Sequence, residues 1–361
     1  MRALQYDAFG GPLAVRELPS PVPSAAGVVV RVGASGVCRS DWHGWQGHDP
    51  DISLPHVPGH ELAGTVEAVG PAVRRFRVGD RVTVPFVCAC GRCAQCADGN
   101  GQVCSAQTQP GFTHWGSFAD QVVLHAADLN LVALPDAVDD VAAASLGCRF
   151  ATAYRGLTAH GGLAPEQWLA VHGAGGVGLS ALMIGEWVAV HGCGGVGLSA
   201  VQIAVAFGAQ VVAVDISDGA FALAASLGAV IVDGRGIDVP AAVREVTGGG
   251  AHLSLDALGS EGTCVDSVLS LRPRGRHIQV GLLPPSQGRP AVPMERVVAG
   301  ELELLGSHGL AAHDYPALLD LIGSGRLRPE LLVTRELTLA QAGEALMTVG
   351  RAPGIAVVTS F

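Results

Sequence analysis

A glycine-rich turn between two apolar runs constrains the fold of this chain more than any other part of its sequence. The letters HGCGGVG place Gly192, Gly194 and Gly197 as G-x-G-x-x-G, directly after the apolar run EWVAV and before the helical stretch LSAVQIAVAFGA. The next apolar run ends in VVAVD, which puts Asp215 about twenty residues downstream, at the tip of a second strand. This order of strand, turn, helix and strand predicts a parallel sheet with helical crossovers.

The same turn predicts a dinucleotide site. Its glycines let the backbone approach a diphosphate, and the first amides of the following helix would hydrogen-bond to it. A tight turn without a ligand is the plainer interpretation, but a carboxylate at this strand tip, Asp215, is what accepts ribose hydroxyls. Since Asp215 would repel a 2′-phosphate and no arginine directly follows it, we predict NAD rather than NADP. The predicted cofactor contacts are Gly192, Gly194, Gly195, Val196, Gly197 and Asp215.

A tandem duplication interrupts this region. Residues 168–186 are nearly repeated at 187–205, with thirteen of nineteen positions identical. The second copy keeps the strand–helix–strand distance to Asp215, whereas the helical stretch of the first copy is shorter than a parallel crossover needs. We therefore predict that the second copy holds the central strand and the cofactor turn, and that the first adds a short strand–helix element or an apolar flap. A swap of the two copies is the alternative.

The pattern of apolar and turn residues changes along the chain and predicts two domains, and 361 residues are enough for two. From residue 1 to 149, β-type runs such as GVVVRV and DRVTVPFV alternate with turn residues, which is typical of a small β-rich domain. From 150 to 308, strands such as AQVVAVD and RHIQVGL alternate with alanine-rich helical stretches, as in a doubly wound parallel sheet. Residues 309–361 predict two helices and a last strand, GIAVVTS, which we assign to the first domain.

Four cysteines of the first domain, here called the cysteine ladder, have the spacing of a metal site. Cys90, Cys93, Cys96 and Cys104 form C-x2-C-x2-C-x7-C in a lobe of about residues 88–105, which predicts a closed structural zinc site with four thiolates. A disulfide framework is one alternative, and a set of reduced cysteines without a ligand is another. The chain length, the odd total of 9 cysteines and a beginning, MRALQYDAFGG, without signal-peptide features favour zinc.

A second set of metal ligands is spread over three segments. GVCRSDWHGW contains Cys38, PGHELAG contains His60 and Glu61, and SLGCRFATAYRG contains Cys148. A catalytic zinc takes three protein ligands of these types and keeps a fourth position for an exchangeable oxygen. Each residue alone has a plainer interpretation, since an isolated cysteine is most often a small buried hydrophobe. Beside the ladder and the dinucleotide turn, the three together predict a catalytic zinc.

Composition excludes several classes of chemistry. All 22 basic residues are arginine, so the chain has no lysine. This excludes three classes that need a lysine: Schiff-base enzymes, Walker-A sites and dehydrogenases with a Tyr-x-x-x-Lys pair. The net charge of -10 and the lack of a basic cluster argue against a nucleic-acid partner. Mean hydropathy is high, at +0.38, but no run of about eighteen apolar residues predicts a membrane span.

The chain resembles the zinc-dependent medium-chain dehydrogenases, a family that includes the alcohol dehydrogenases. The segments GVCRSD, PGHELAG, the cysteine ladder, SFADQVV, LGCRFATAYRGL and the glycine turn with Asp215 come in the order of the family and cover the whole length apart from one copy of the duplication. The resemblance implies a GroES-like β-rich catalytic domain and a Rossmann cofactor domain. It also implies reversible NAD-linked oxidation of a primary or secondary alcohol to an aldehyde or ketone.

The resemblance assigns roles around the catalytic zinc. The ligands would be Cys38, His60 and Cys148. Glu61 would be a transient or alternative fourth ligand. Asp41 would orient His60 and tune its basicity.

Further roles follow from the same resemblance. Ser40 would take the proton of the alcohol, and His43 would pass it to solvent through the cofactor ribose. The other implied contacts are Arg39 with the diphosphate, Thr152 with the nicotinamide, and Phe86 and Trp45 with the substrate. His114 and Trp115 would either line the substrate entrance or support the ladder, and the sequence does not choose between these roles.

The implied enzyme carries NAD and two zinc ions per chain, forms a homodimer or homotetramer, and has neither nucleic acid nor membrane as a partner. Abundant thiols and the absence of targeting signals favour the cytoplasm. Two other classes compete with this interpretation. A quinone-reductase type of the same fold would lack the catalytic zinc, and a non-catalytic or cofactor-deficient relative would fit a glycine turn damaged by the duplication.

Overall fold

The computed structural model describes residues 1–162, 186–283 and 288–361, and these form two compact units. Unit 1 comprises Met1–Thr152 and His308–Phe361, and unit 2 comprises Ala153–Ser307. The boundaries predicted from the sequence, after residue 149 and before residue 309, lie three residues and one residue away from these. The first copy of the duplication, 168–186, lies outside the described residues except for Glu186.

Nine strands lie in the described residues of unit 1. They are β1 (Arg2–Gln5), β2 (Ala14–Glu17), β3 (Val28–Val37), β4 (Glu61–Val69), β5 (Arg81–Thr83), β6 (Gln121–Leu124), β7 (Val132–Ala133), β14 (Val333–Thr338) and β15 (Ile355–Ser360). β1 and β2 form an antiparallel pair. The other seven form one sheet in the order β14-β15-β3-β4-β5-β7, with β6 paired to β3.

The long strand β3 organises this sheet. Its alternate residues Val30 and Val32 face a buried core, in which they meet Leu62 of β4, as the period of two in a strand requires. Along the same strand, Ala356 of β15 pairs with Val37 in antiparallel register. The last strand of the chain therefore belongs to unit 1.

Short helices connect these strands. In unit 1 they are α1 (Arg39–Trp45), α2 (Ala94–Ala97), α3 (Ala127–Asn130), α4 (Asp140–Ala144), α11 (Tyr315–Gly323) and α12 (Leu339–Met347). A π-helical turn, Leu146–Phe150, leads into α5 (Ala151–Arg155) at the end of the first stretch of unit 1. Helix α1 starts directly after β3, so the end of the central strand and the first turn of this helix carry neighbouring side chains.

Unit 2 contains a six-stranded parallel sheet. Its strands are β8 (Trp187–His191), β9 (Gln210–Asp215), β10 (Val230–Asp233), β11 (Ala251–Asp256), β12 (Leu271–Gln279) and β13 (Glu303–Gly306), in the order β10-β9-β8-β11-β12-β13. The helices are α6 (Gly195–Ala206), α7 (Asp218–Ser226), α8 (Val239–Val246), α9 (Glu261–Leu269) and α10 (Met294–Gly300). This is the strand order of a dinucleotide-binding fold, which confirms the predicted fold class.

The second copy of the duplication supplies the start of this sheet. It forms β8, which pairs with β9 on one side and β11 on the other, and then the glycine turn and α6. The order reverses at β8, and ligands of such sheets bind at the carboxyl ends of the strands at this switch point. Within the described part of the chain, no helix has both the length and the apolar character needed to cross a membrane.

Candidate functional site

The cysteine ladder brings its four sulfurs together. The ligand atoms of Cys90, Cys93, Cys96 and Cys104 lie within 4.8 Å of one another. The sulfur of Cys93 is 3.4 Å from that of Cys96 and 3.7 Å from that of Cys104. A disulfide would require about 2 Å, whereas the edge of a tetrahedron with Zn–S bonds of about 2.3 Å is about 3.8 Å. All nine cysteines are free, and the ladder has the dimensions of a structural zinc site.

Backbone amides support the charge that such a site needs. The N–H groups of Cys90 and Ala106 point to the sulfur of Cys104 at 3.3 and 3.4 Å. Hydrogen bonds to a thiolate favour its charged form, which is the form that binds metal. The four sulfurs are therefore ligands of the right type, number and spacing for zinc.

A second group of ligands assembles where three segments of unit 1 meet. Cys38 precedes helix α1, His60 precedes β4, and Cys148 lies in the π-helical turn. Their ligand atoms lie within 4.8 Å of one another. His60 is completely buried, and among the described residues its Nε2 has no hydrogen-bond partner. A buried nitrogen without a partner is costly, so this atom fits a metal ligand, as do the two sulfurs.

The two thiols of this group differ in acidity. A hydrogen bond from the thiol of Cys148 lowers the pKa of Cys38 well below its ordinary value, in spite of burial. The same bond, with burial, raises the pKa of Cys148 well above its ordinary value. Cys38 and Cys148 therefore share one proton in the absence of a metal ion. A bound cation would replace that proton and leave two thiolates.

Asp41 holds His60 in place. Its Oδ1 accepts hydrogen bonds from Nδ1 of His60 at 2.7 Å and from the N–H of Gly59 at 3.0 Å, and its Oδ2 accepts from the N–H of Cys38 at 3.0 Å. Burial lowers the pKa of His60, but the charge and hydrogen bond of Asp41 outweigh burial and raise it well above the ordinary value. Because Nδ1–H is bonded to Asp41, Nε2 is the nitrogen that would bind a metal ion, which would take the place of the Nε2 proton.

Glu61 pairs with Arg149, a residue that the sequence patterns do not predict to be part of the site. Its Oε1 accepts from the backbone N–H of Arg149 at 2.8 Å and from Nε at 3.1 Å, and its Oε2 is bound by Nη2. Burial raises the pKa of Glu61 to about 7, while the charge of Arg149 opposes that shift. Glu61 is not a member of the group formed by Cys38, His60 and Cys148. Its carboxylate is engaged with Arg149, which follows Cys148 directly in the chain.

The predicted proton path lies in helix α1. Ser40 is half-buried, and His43 is buried, with its Nδ1 2.9 Å from Nδ1 of His48. Arg39 is exposed, and its guanidinium lies 5.3 Å from the centre of the Trp42 ring. The sequence reading did not single out His48, because nothing in the letters around it marks a contact with His43.

Two aromatic rings lie beside His60. Phe86, a predicted substrate contact, lies edge-on to His60 with ring centres 6.1 Å apart, and Phe112, which was not predicted, lies 5.2 Å from it. Trp45, the other predicted substrate contact, packs in a core with Tyr6 and donates its indole N–H to the carbonyl of Gly11 at 2.9 Å. Phe86 thus lies beside the metal ligands and Trp45 within the core of unit 1.

Thr152 joins two segments of unit 1. Its hydroxyl donates to the carbonyl of Cys148 at 2.6 Å and accepts from the N–H of Gly309 at 3.2 Å. His114 and Trp115 line a cavity of about 400 Å³ in the surface of unit 1, and the indole of Trp115 donates to the carbonyl of Pro55 at 3.1 Å. This cavity is formed by segments other than the ladder.

The glycine turn of unit 2 is tightly folded. Gly192 has a left-handed φ of +90°, and an ideal Cβ on Gly197 would lie 1.8 Å from the oxygen of Gly192. By contrast, a Cβ on Gly194 would meet no atom within 4 Å. Two glycines are therefore required by the backbone itself, and the third borders open space at the start of α6, where a diphosphate would approach.

Asp215 closes this turn from the tip of β9. Its Oδ2 accepts from the N–H of Cys193 at 2.5 Å, and its Oδ1 accepts from the N–H groups of Ile216 and Ser217 at 2.7 and 2.9 Å. Three of the roughly four lone-pair sites of the carboxylate are thus in use, and the remaining one is on Oδ2. The residue is thus held in place before any ligand arrives.

One arginine follows the neighbouring strand tip. The residue opposite Asp215 in β10 is Asp233, and it binds Arg235 through Nε and Nη2, at 2.6 Å to Nη2. Asp218 binds the same Nη2 at 2.8 Å. Arg235 is therefore already paired with two carboxylates.

Two family models match this chain, one in unit 1 and one mostly in unit 2. Residues 24–136 match the family model of the alcohol dehydrogenase GroES-like domain, and residues 195–324 match that of the zinc-binding dehydrogenases. An alcohol dehydrogenase of Moraxella sp. (strain TAE123) is 34% identical over 331 residues, which is 91% of this chain and 90% of that protein. An NAD-dependent alcohol dehydrogenase of Sulfurisphaera tokodaii is 30% identical over 96% of this chain and 95% of its own length.

A solved structure agrees with these relatives. The alcohol dehydrogenase of Thermus sp. ATN1 covers 100% of both chains with a TM-score of 0.87 and 30% identity. A GroES-like unit and a Rossmann unit with these ligand groups define an oxidoreductase of the alcohol dehydrogenase type. The chain belongs to the zinc-dependent medium-chain dehydrogenase/reductase family, as its motifs predict.

Proposed function

We propose that this protein is an NAD-dependent zinc alcohol dehydrogenase that interconverts a primary or secondary alcohol and the corresponding aldehyde or ketone. The observation that carries the proposal is the convergence of Cys38, His60 and Cys148, with the buried Nε2 of His60 lacking a partner among the described residues. Three ligands leave one position for substrate oxygen, which is the pattern of a catalytic zinc. Membership of the family supports the same activity.

Two zinc ions per chain are part of this proposal. Cys38, His60 and Cys148 would hold the catalytic ion, and the cysteine ladder would hold the structural one. Bound zinc supplies a Lewis acid that lowers the pKa of an alcohol, and NAD supplies the hydride acceptor.

The side chains of helix α1 handle the proton of the reaction. Asp41 orients His60 through Nδ1 and so fixes which nitrogen is free to bind. Ser40 accepts the proton of the alcohol, and His43 receives it on the way to solvent. The rings of Phe86 and Phe112 lie on His60 and exclude water from its surroundings.

We also propose NAD rather than NADP as the cofactor. Gly192, Gly194, Gly195, Val196 and Gly197 would receive the diphosphate, with Arg39 as a second contact, and Thr152 would lie beside the nicotinamide. The carboxylate of Asp215 favours a ribose hydroxyl and disfavours a 2′-phosphate. The pairing of Arg235 with Asp218 and Asp233 supports this choice, because that cation is already neutralised.

Metal analysis combined with kinetics tests the catalytic proposal. We expect two zinc per chain and turnover of NAD with members of a panel of primary, secondary and aromatic alcohols. Cys148→Ser should reduce the content to one zinc and abolish turnover. Its matched control, Cys93→Ser, should also reduce the content to one zinc but leave the catalytic ion in place.

Other results would favour other classes. One zinc per unsubstituted chain would support a zinc-free reductase of the quinone-reductase type. Two zinc without turnover on any alcohol would support a non-catalytic relative. A folded variant lacking residues 168–186 should keep its NAD affinity, and loss of binding would show that the first copy holds the cofactor turn.

Assembly and compartment complete the proposal. A homodimer or homotetramer is supported by membership of the family, and light scattering of the purified protein would test it. A cytoplasmic location is supported by nine cysteines without a disulfide among them, because thiols persist in reducing compartments. Imaging of the tagged protein in its own cells would test the location.

A further inference from the structure

Helix α1 ends in a turn that brings a second histidine onto His43. Gly47 has a left-handed φ of +77°, and its N–H donates to the carbonyl of Gly44 at 3.0 Å. The next N–H, that of His48, donates to the carbonyl of His43 at 3.0 Å. These two bonds form a Schellman turn, which places the residue after the glycine next to a residue in the last turn of the helix. The backbone therefore sets His48 against His43.

The two imidazoles meet through one atom of each ring. Nδ1 of His43 lies 2.9 Å from Nδ1 of His48, which is an ordinary hydrogen-bond length. Trp42 lies edge-on to both rings, with centres 5.0 and 5.9 Å away. Schellman turns often pair two apolar side chains at these positions. Here the pair is polar and can carry a proton.

The two rings differ in their exposure. His43 is only 8% exposed, and burial, then the charges of Arg39 and His48, lowers its pKa to about 4 against the opposing charge of Cys38. His48 is exposed to solvent. His43 therefore holds a proton weakly, and its hydrogen-bond partner His48 reaches water.

We propose that His48 is the outer member of a two-histidine relay that carries protons between His43 and bulk water. The inference rests on the proposed function, in which oxidation of each alcohol to a carbonyl releases one proton. His48 would not touch the substrate. It would act through His43, as a positioning and relay residue.

The transfer conserves atoms and charge. In the bond between the rings, one Nδ1 carries a hydrogen and the other a lone pair. A proton that arrives at Nε2 of His43 lets the Nδ1 proton of that ring move to Nδ1 of His48, which then releases its own Nε2 proton to water. The transfer leaves each ring in its other neutral tautomer, and the reverse transfer restores the starting state. The reverse sequence supplies the proton for reduction of a carbonyl, and no electrons move in these steps.

The variant His48→Leu separates a relay from a structural role. Leucine provides the apolar contact that a Schellman turn accommodates, but it cannot carry a proton. His313→Leu is the matched control, because His313 is likewise an exposed histidine of unit 1 and lies beside Asp314. His48→Gln is a second variant, whose amide can hydrogen-bond to His43 without passing a proton.

Stopped-flow measurement of the zinc-loaded enzyme tests the relay. In weak buffer, NADH absorbance follows hydride transfer and a pH indicator follows proton release during the first turnover. We expect the two signals to coincide in the unsubstituted protein and in His313→Leu. In His48→Leu and His48→Gln, proton release should lag by about tenfold or more, with a larger solvent deuterium isotope effect, and added imidazole should restore it.

The outcomes separate the two proposals. Proton release in His48→Leu and His48→Gln that is as fast as in the unsubstituted protein would overturn the relay. A lag that imidazole does not rescue would overturn it too, since that result indicates a structural defect. Failure of the fully zinc-loaded, unsubstituted protein to form NADH would refute the proposed function instead.

Discussion

Replacement of Gly197 by alanine tests the closest backbone approach in the glycine turn. The new Cβ would lie 1.8 Å from the oxygen and 2.9 Å from the carbonyl carbon of Gly192, whereas ordinary contacts begin at 3.4 Å. Both atoms are backbone, so they cannot rotate away as a side chain would. The turn or the first residues of α6 would have to move by about 1 Å or more to remove the overlap.

Two opposing effects set the size of the loss. Overpacking a filled interior costs about 1–3 kcal/mol, and alanine is favoured over glycine inside a helix by about 1 kcal/mol. Because the obstacle is backbone, we place the steric cost at the upper end of its range. We expect a net loss of about 2 kcal/mol in the free energy of unfolding of unit 2, or a Tm lower by about 6 °C for a domain of this size.

Gly194→Ala is the matched control, because its Cβ would meet no atom within 4 Å and its φ of -75° suits alanine. We expect its Tm to equal that of the unsubstituted protein and its affinity for NADH to fall about tenfold, or by about 1.4 kcal/mol, since the methyl group would occupy the space proposed for the diphosphate. Circular dichroism on heating and NADH fluorescence titration measure the two effects. A Gly197→Ala protein as stable as the parent would refute the packing argument, and undiminished NADH binding by Gly194→Ala would refute the diphosphate assignment.

Arg149→Met would leave Glu61 buried without its cation and lower the free energy of unfolding by about 3–5 kcal/mol. Adding Glu61→Gln should recover most of this loss in urea unfolding, and an additive double variant would contradict the ion-pair explanation. His191 is buried, and burial lowers its pKa to about 3. The unfolded chain, with a pKa of about 6.5 at this residue, therefore binds a proton more readily than the folded protein. The contribution of His191 to folding stability is complete above a pH of about 6.5 and is lost as the pH falls toward 3. His191→Leu should therefore flatten the decline of Tm between pH 6.5 and pH 4, and an unchanged slope would assign that decline to other groups.

The features that the sequence predicts well are local ones. The glycine turn and Asp215 belong to one strand–turn–helix–strand run, whose periodicity and spacing fix their placement, and β9 ends at Asp215 as predicted. The cysteine ladder likewise lies within a single loop, so its spacing alone brings the sulfurs together. In each case the chain between the residues is too short to allow many other arrangements.

Contacts between distant segments are beyond the reach of such patterns. Arg149 and Glu61 are 88 residues apart and are joined only by the packing of the π-helical turn against β4. The contact between His43 and His48 is local, but it depends on the left-handed conformation of Gly47, which the letters WQGH do not reveal. Tertiary packing also decides that Trp45 lies in the core with Tyr6, because the indole finds its acceptor, the carbonyl of Gly11, far away in the sequence.

The bonds of Asp215 explain why spacing can choose between the two copies of the duplicated segment. Its carboxylate accepts the N–H of Cys193, so the acid that is proposed to bind ribose also fastens the glycine turn to the tip of β9. Only a turn whose helix returns the chain to the neighbouring strand can make this bond. The corresponding letters of the first copy, HGAGGVG, lie nineteen residues farther from Asp215 in the sequence, and the second copy follows them before the acidic residue is reached. The proposed cofactor recognition and the local fold thus depend on the same carboxylate, and a change at Asp215 should alter both.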